Sequence, residues 1–231
     1  MNVDVLVYDG FDELDGIAPY EVFDHAFAGA LDDVPPNEER DDSHERDEDS
    51  RDATTIDSGR VRYVTLDEHE TVTASHGTRI GVDGALPEPT AATAPDLLAV
   101  PGGGWRARDE EASAWAEAQR GDIPDVLARY HDAGVTIASV CTGSMLLAEA
   151  GVTDGRRAVT HASALDELRE SGARVVDARV VDDGDLITAG GITAGIDLAL
   201  YLVERELGAS IAQRVATVME YERRDGIAGR E

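Results

Sequence analysis

The chain has 231 residues, enough for one domain with a large core, and its 42% hydrophobic content is ordinary for a globular protein. No apolar run approaches the roughly 20 residues of a membrane span, and the lone cysteine excludes an internal disulfide or a multi-cysteine metal site. With 48 acidic residues against 20 basic ones, all arginine, the net charge is −28: such a chain repels nucleic acid and anionic lipid and suits high salt, where self-repulsion is screened.

The N-terminus runs directly into a first strand, "NVDVLVY" (residues 2–8), with no basic segment or cleavage signal, so a cytoplasmic location is expected. A helix follows in "APYEVFDHAF" (18–27), with Pro19 in its first turn. From Asn37 to Asp52 there is no apolar residue, and nine of the fifteen residues Glu38–Asp52 are acidic. The stretch at about 35–59 therefore reads as a solvated, mobile insertion in an otherwise single domain spanning 1–231. "RVRYVTL" (60–66) and "TVTASHGTRIGVD" (71–83) carry the Val, Thr and Ile of strands, and "DLLAVPGGG" (96–104) is a buried strand entering a glycine turn. Helical patterning covers about 110–119 and 123–132, with Asp122 as the expected N-cap of the second. After "TIASVCTGSMLLAEAG" (136–151) come a strand "RAVTH" (157–161), a helix near 163–170 and a hairpin turning at "DDGD". Two helices, "TAGIDLALYLVERELG" and "SIAQRVATVMEY", follow.

Strands alternating with helices imply a mainly parallel sheet covered on both faces, with ligands at the carboxyl ends of its strands. Three segments sit at such ends: "YDGFDELDG", "PGGG" and Cys141. A lone cysteine is usually packing. Cys141, however, stands where an apolar strand meets a helix with almost no loop between them. A sharp turn there exposes a nucleophile above the sheet, and the helix N-terminus offers free amides that favour a thiolate, so a thiol pKa below the ordinary ~8.5 is expected. Thr142, Gly143 and Ser144 supply small residues where crowding is worst.

"LAVPGGG", "ASVCTGSMLLAEAGVTDGRRAVTH", "ITAGGITAGIDLALYLVERELG" and "LDGIAPYEVFD" resemble the ThiJ/PfpI superfamily, part of the class I glutamine amidotransferase-like group, and within it the isonitrile hydratase-like branch. The resemblance covers nearly all of the chain outside the acidic insertion. It implies a flavodoxin-like α/β three-layer sandwich, a homodimer, no cofactor and a small-molecule substrate. Cys141 would be the nucleophile at a strand-to-helix elbow, Asp15 the acidic residue that contacts it, and Gly103 and Thr142 the sources of oxyanion-binding amides. Gly102 belongs to the same glycine run, which serves either as a tight turn or as exposed donors for an anion. Burial would keep Asp15 neutral and able to donate to the sulfur; its alternative role is a cap for the helix near Ala18.

The implied activity is a cysteine-dependent hydratase or lyase converting an isonitrile to an N-substituted formamide. A glyoxalase- or deglycase-like enzyme and a non-catalytic ligand or redox sensor are the alternatives. Protease-like members carry histidine directly after the cysteine; Thr142 stands there instead, so the Cys–His pair for peptide hydrolysis is missing. His161 precedes Ala162 where many relatives have tryptophan, which would open the pocket. His161 itself reads as a structural histidine and Trp105 as a wall of the site or plain packing. His25, His44, His76 and His131 fit no metal-ligand spacing.

Overall fold

The computed structural model describes residues 1–29 and 59–229, so the acidic insertion expected at about 35–59 lies outside the described residues except for Gly59. In chain order the elements are β1 Asn2–Leu6, α1 Glu13–Gly29, β2 Arg60–Thr65, β3 Thr71–Thr73, β4 Arg79–Gly81, β5 Gly84–Ala85, β6 Leu97–Val100, α2 Ala114–Arg120, α3 Asp122–Asp132 and β7 Thr136–Ser139. They continue with α4 Gly143–Glu149, β8 Arg157–Ala158, α5 Leu165–Glu170, β9 Arg174–Val175, β10 Val180–Asp182, β11 Leu186–Ala189, α6 Ala194–Leu207, α7 Ala209–Val218 and β12 Ile227–Ala228.

Eight strands form the main sheet in the order β12-β10-β11-β7-β6-β1-β2-β5. All its pairings are parallel except β10–β11, the hairpin that turns at "DDGD". Val3, Val5, Leu6, Leu98, Val100 and Ile137 are essentially inaccessible, which is why these strands read as unbroken apolar runs: both faces are covered. Helices α1, α6 and α7 pack together on one face, and α2, α3 and α4 on the other. The result is the expected α/β sandwich with a mainly parallel sheet. Among the described residues no helix is long and apolar enough to cross a membrane.

Register decides where the chain ends meet. Val3 of β1 stands opposite Leu97 of β6, Val100 of β6 opposite Ser139 of β7, and Thr188 of β11 opposite Ser139 on the other side. Neighbouring parallel strands in step terminate together. The segments leaving β1, β6, β7 and β11 therefore emerge side by side at one edge of the sheet.

Three local expectations are revised. α1 begins at Glu13, not near Ala18, so Pro19 lies inside the helix rather than in its first turn. Residues 71–83 form a hairpin, with Gly77 in the left-handed region at its tip, instead of continuous strand. Gly121, not Asp122, precedes α3; at φ +85° it closes α2 and opens α3, a conformation glycine takes without a Cβ penalty.

Candidate functional site

The elbow is built by backbone. β7 ends at Ser139, Cys141 takes φ +57°, and α4 starts at Gly143. A non-glycine residue in the left-handed region is uncommon, and here it is held from several sides. The Cys141 amide donates to Gly190 O at 2.9 Å, its carbonyl accepts from Thr160 Oγ1 at 2.9 Å, and Gly143 N donates to Val140 O at 2.9 Å. Inside the turn, Ser144 Oγ donates to Val159 O at 2.7 Å, which makes Ser139 the donor in the 2.8 Å contact between the two serine hydroxyls. Gly143 must be glycine: a Cβ there would lie 2.2 Å from Val100 O.

The structure brings together all five residues singled out in the sequence. Asp15, fully buried in the first turn of α1, accepts from the Gly102 amide through Oδ2 at 3.1 Å. Its other oxygen, Oδ1, is buried without a hydrogen-bond partner, and the carboxyl lies close enough to Cys141 for each to shift the other's titration. The bond to Gly102 reaches across to another strand end, so Asp15 does not cap its own helix. The Gly103 amide donates to Thr142 Oγ1 at 3.0 Å. The Gly102 and Gly103 amides are thus engaged by the Asp15 and Thr142 side chains, rather than standing free. A Cβ on Gly102 would meet Thr142 N at 2.4 Å, which is the close approach that only glycine allows.

Electrostatics at the pair follow from burial. Burial raises the Asp15 carboxyl to about 7, with the charge of Asp12 adding to the rise and the bonds from Cys141 and Gly102 opposing it. Burial also pushes the Cys141 thiol up, to about 12, and the Asp15 charge adds to that. Backbone hydrogen bonds from Ile192 and Thr142 pull the other way. The expectation of a thiol below ~8.5 is therefore overturned: the residue is only 6% exposed, and lost hydration outweighs the amides that favour the anion. The thiol and carboxyl titrate as a pair, and a proton on Asp15 removes the charge that opposes the thiolate.

Several supporting residues were not legible in the sequence. Tyr8 is buried and donates to Pro101 O at 2.9 Å, holding the strand end that leads into the glycines. Burial, then the Asp15 charge, keeps its hydroxyl well above the ordinary phenol range. Glu13 clamps the β3–β4 tip onto α1, accepting from His76 N at 2.9 Å and contacting the His76 ring at 2.8 Å. Burial would raise Glu13, but the bonds from His76 and Thr78 bring it down to about 2. The Ile192 backbone, in the turn after β11, opposes the rise of the thiol. Two residues weighed in the sequence are structural. His161 Nδ1 accepts from Ser163 N at 3.1 Å and caps the short turn at Ala162–Ala164; Trp105 donates to Glu167 at 2.9 Å and packs edge-on against Trp115. A cavity of about 460 Å³ opens at the ends of β1 and β2, walled by Tyr8, Asp9, His69, Glu117, Arg120 and Ile123. It shares Tyr8 with the site, but Cys141 does not line it.

Parallel strands carrying a left-handed cysteine straight into a helix, with an acid from the β1 end against the sulfur, define a doubly wound α/β protein of the strand–Cys–helix type. The chain belongs to the DJ-1/PfpI family, which it matches over residues 1–205. It is 43% identical over 129 residues to isonitrile hydratase of Pseudomonas putida, covering 54% of this chain and 52% of that one. It is 44% identical over 85 residues to the HTH-type transcriptional regulator CdhR of Pseudomonas aeruginosa, covering 36% of this chain and 25% of the regulator. The matched stretches thus span about half of the first relative and a quarter of the second. A ThiJ/PfpI family protein from Pseudomonas syringae superposes with a TM-score of 0.73 over 97% of this chain and 76% of its own, at 24% identity, a likeness of fold.

Proposed function

We propose that the protein is a cysteine-dependent hydratase acting on a small isonitrile, with Cys141 as nucleophile and Asp15 as its proton acceptor and donor. The observation that carries this reading is Cys141 at φ +57° on the strand-to-helix elbow, beside a fully buried Asp15 that Gly102 holds by hydrogen bond and whose charge opposes the thiolate. The proton rests on sulfur, and Asp15, whose carboxyl burial raises to about 7, is placed to accept it when ionised. Transfer from sulfur to carboxylate yields the thiolate and a neutral carboxylic acid without net change in charge.

The thiolate then attacks the terminal carbon of R–N≡C, and Asp15 returns the proton to that carbon, giving the thioimidate R–N=CH–S–Cys141. Water adds across the C=N bond to give R–NH–CH(OH)–S–Cys141. Collapse breaks the C–S bond, releases the formamide R–NH–CHO and regenerates the thiol. The Thr142 amide supports negative charge at the sulfur during attack and expulsion. Gly103 acts through its bond to the Thr142 hydroxyl, which fixes the turn that aims that amide. Gly102 holds Asp15 in register with the sulfur.

The test is turnover of a panel of isonitriles and 2-oxoaldehydes by wild type and Cys141→Ala in molar salt. Formamide production lost in Cys141→Ala supports the reading; turnover of 2-oxoaldehydes alone redirects it to a deglycase-like reaction. Burial of the thiol favours a second reading, a ligand-sensing domain without turnover. For that reading, ligand-induced thermal stabilisation would be retained in Cys141→Ala while no substrate is consumed.

A further inference from the structure

Between β8 and the short turn at Ala162–Ala164, Val159 and Thr160 are buried although they belong to no helix or strand. A buried segment outside any ladder must find other partners for its backbone. Here side-chain hydroxyls supply them. Thr188 Oγ1 of β11 accepts from the Val159 amide at 2.8 Å, and Ser144 Oγ of α4 donates to the Val159 carbonyl at 2.7 Å. Ser139 of β7 in turn donates to Ser144 at 2.8 Å. Fully buried hydroxyls from β7, α4 and β11 thus fix this segment against the elbow.

The next residue turns that anchorage onto the nucleophile: Thr160 Oγ1 donates to the Cys141 carbonyl at 2.9 Å. Val159 is already held at both its N–H and its carbonyl, so this bond is not needed to hold the segment. Its consequence falls on the elbow. The Cys141 carbonyl and the Thr142 N–H belong to one peptide group, which is planar and trans, so the two point in opposite directions. Such a group can still rotate about its two flanking single bonds, and a hydrogen bond at the oxygen resists that rotation. Fixing the oxygen therefore fixes where the Thr142 N–H points. The amides on either side are committed, Cys141 N to Gly190 O and Gly143 N to Val140 O, both at 2.9 Å. Thr142 N donates to no carbonyl among the described residues. It is the amide left for the reacting centre.

We propose that Thr160 is a positioning residue for the chemistry at Cys141: by holding the Cys141 carbonyl from the opposite side of the peptide, its hydroxyl aims the Thr142 amide at the charge that develops during attack. The proposal deepens the reading of Cys141 as nucleophile and rests on it. Valine would match threonine in shape at this buried position, but it has no donor for the carbonyl.

The experiment compares wild type with Thr160→Val, Thr160→Ala and Thr160→Ser in the full chain and in molar salt, each melted to confirm that it folds. Valine removes the donor and keeps the shape, alanine removes it with space to spare, and serine keeps the hydroxyl. Two readouts are taken: the second-order rate of Cys141 alkylation by iodoacetamide at fixed pH, and kcat and KM for isonitrile turnover. In Thr160→Val and Thr160→Ala alkylation is expected to slow by about tenfold, the loss of thiolate that follows a rise of one pKa unit. Their kcat should fall by roughly 10–100-fold, less than the 10²–10³ of a donor removed outright, with KM within about twofold because the interaction strengthens only in the transition state. Thr160→Ser should restore both to within about threefold. A lowered melting temperature with alkylation and kcat unchanged would make Thr160 a structural residue and overturn the proposal. So would a loss that serine does not rescue, a fold lost in both the valine and alanine variants, or a wild-type thiol that iodoacetamide does not reach. If no isonitrile is turned over, the enzymatic reading fails, whereas the alkylation series still decides on Thr160.

Discussion

Replacing Asp15 with Asn isolates the buried carboxyl. The amide matches it in shape, and its oxygen can accept from Gly102 N as the carboxyl does. The native carboxyl titrates near 7, against 3.8 in an unfolded chain. Between those values the native state holds a proton that the unfolded state has released, so stability falls as pH rises from 4 to 7 and levels off above. Carrying one group from 3.8 to about 7 corresponds to about 4 kcal/mol. Asp15→Asn removes this penalty. It should match wild type near pH 4 and exceed it by about 4 kcal/mol at pH 8, or about 10 °C in melting temperature for a chain of this size. The same change should lower the alkylation midpoint of Cys141, because the Asp15 charge that opposes the thiolate is gone. Turnover should nevertheless slow by roughly 10²–10⁴-fold, since the amide cannot carry the proton. The assay is thermal melting of both proteins from pH 4 to 9 in molar salt, alongside turnover. Parallel stability profiles would refute a carboxyl kept neutral by burial, and equal turnover would remove Asp15 from the chemistry.

Gly143→Ala should cost roughly 3 kcal/mol or abolish folding, because its Cβ would collide with Val100 O at the elbow; an unshifted melting temperature would contradict that close approach. Asp197 is a buried carboxylate bonded to Arg179, to Tyr221 OH at 2.9 Å and to Arg224 N at 3.0 Å. Arg179→Leu strands that charge and should destabilise by about 3–5 kcal/mol in denaturant titrations; a loss under 1 kcal/mol would show the charge is satisfied without arginine. A net charge of −28 predicts a lower melting temperature in dilute buffer than in molar salt, and equal values would remove self-repulsion as a force on this fold. The homodimer expected from the family should appear by sedimentation in molar salt, where two such chains can approach; a monomer alone would end that expectation.

Signals that are complete within a few neighbouring residues were legible in the sequence. The elbow at Cys141 is one, because strand, turn and helix follow each other in sixteen residues whose sizes already demand a tight turn. The "DDGD" hairpin, the alternation that makes a parallel sheet and the boundary at Gly208 between α6 and α7 are others. Each depends on local propensity or on the side-chain period, which the chain carries in its own order. Asp15 was found only through likeness to a family, since its residue type served equally well as a helix cap. Its partner Gly102 lies 87 positions away, and strand register alone brings them together. The same holds for the Gly103 amide, bound by a hydroxyl 39 positions along the chain. The thiol pKa was misjudged for a related reason: the free amides of a helix start are a local feature, whereas the loss of water around Cys141 is the sum of everything packed over it. Ile192 gave no warning at all, hidden behind two glycines that looked like the natural owners of any unusual backbone. Its positive φ lies in a turn whose Ala189 and Gly190 carbonyls both accept the amide of a cysteine at the end of another strand, a demand that exists only once the sheet has formed.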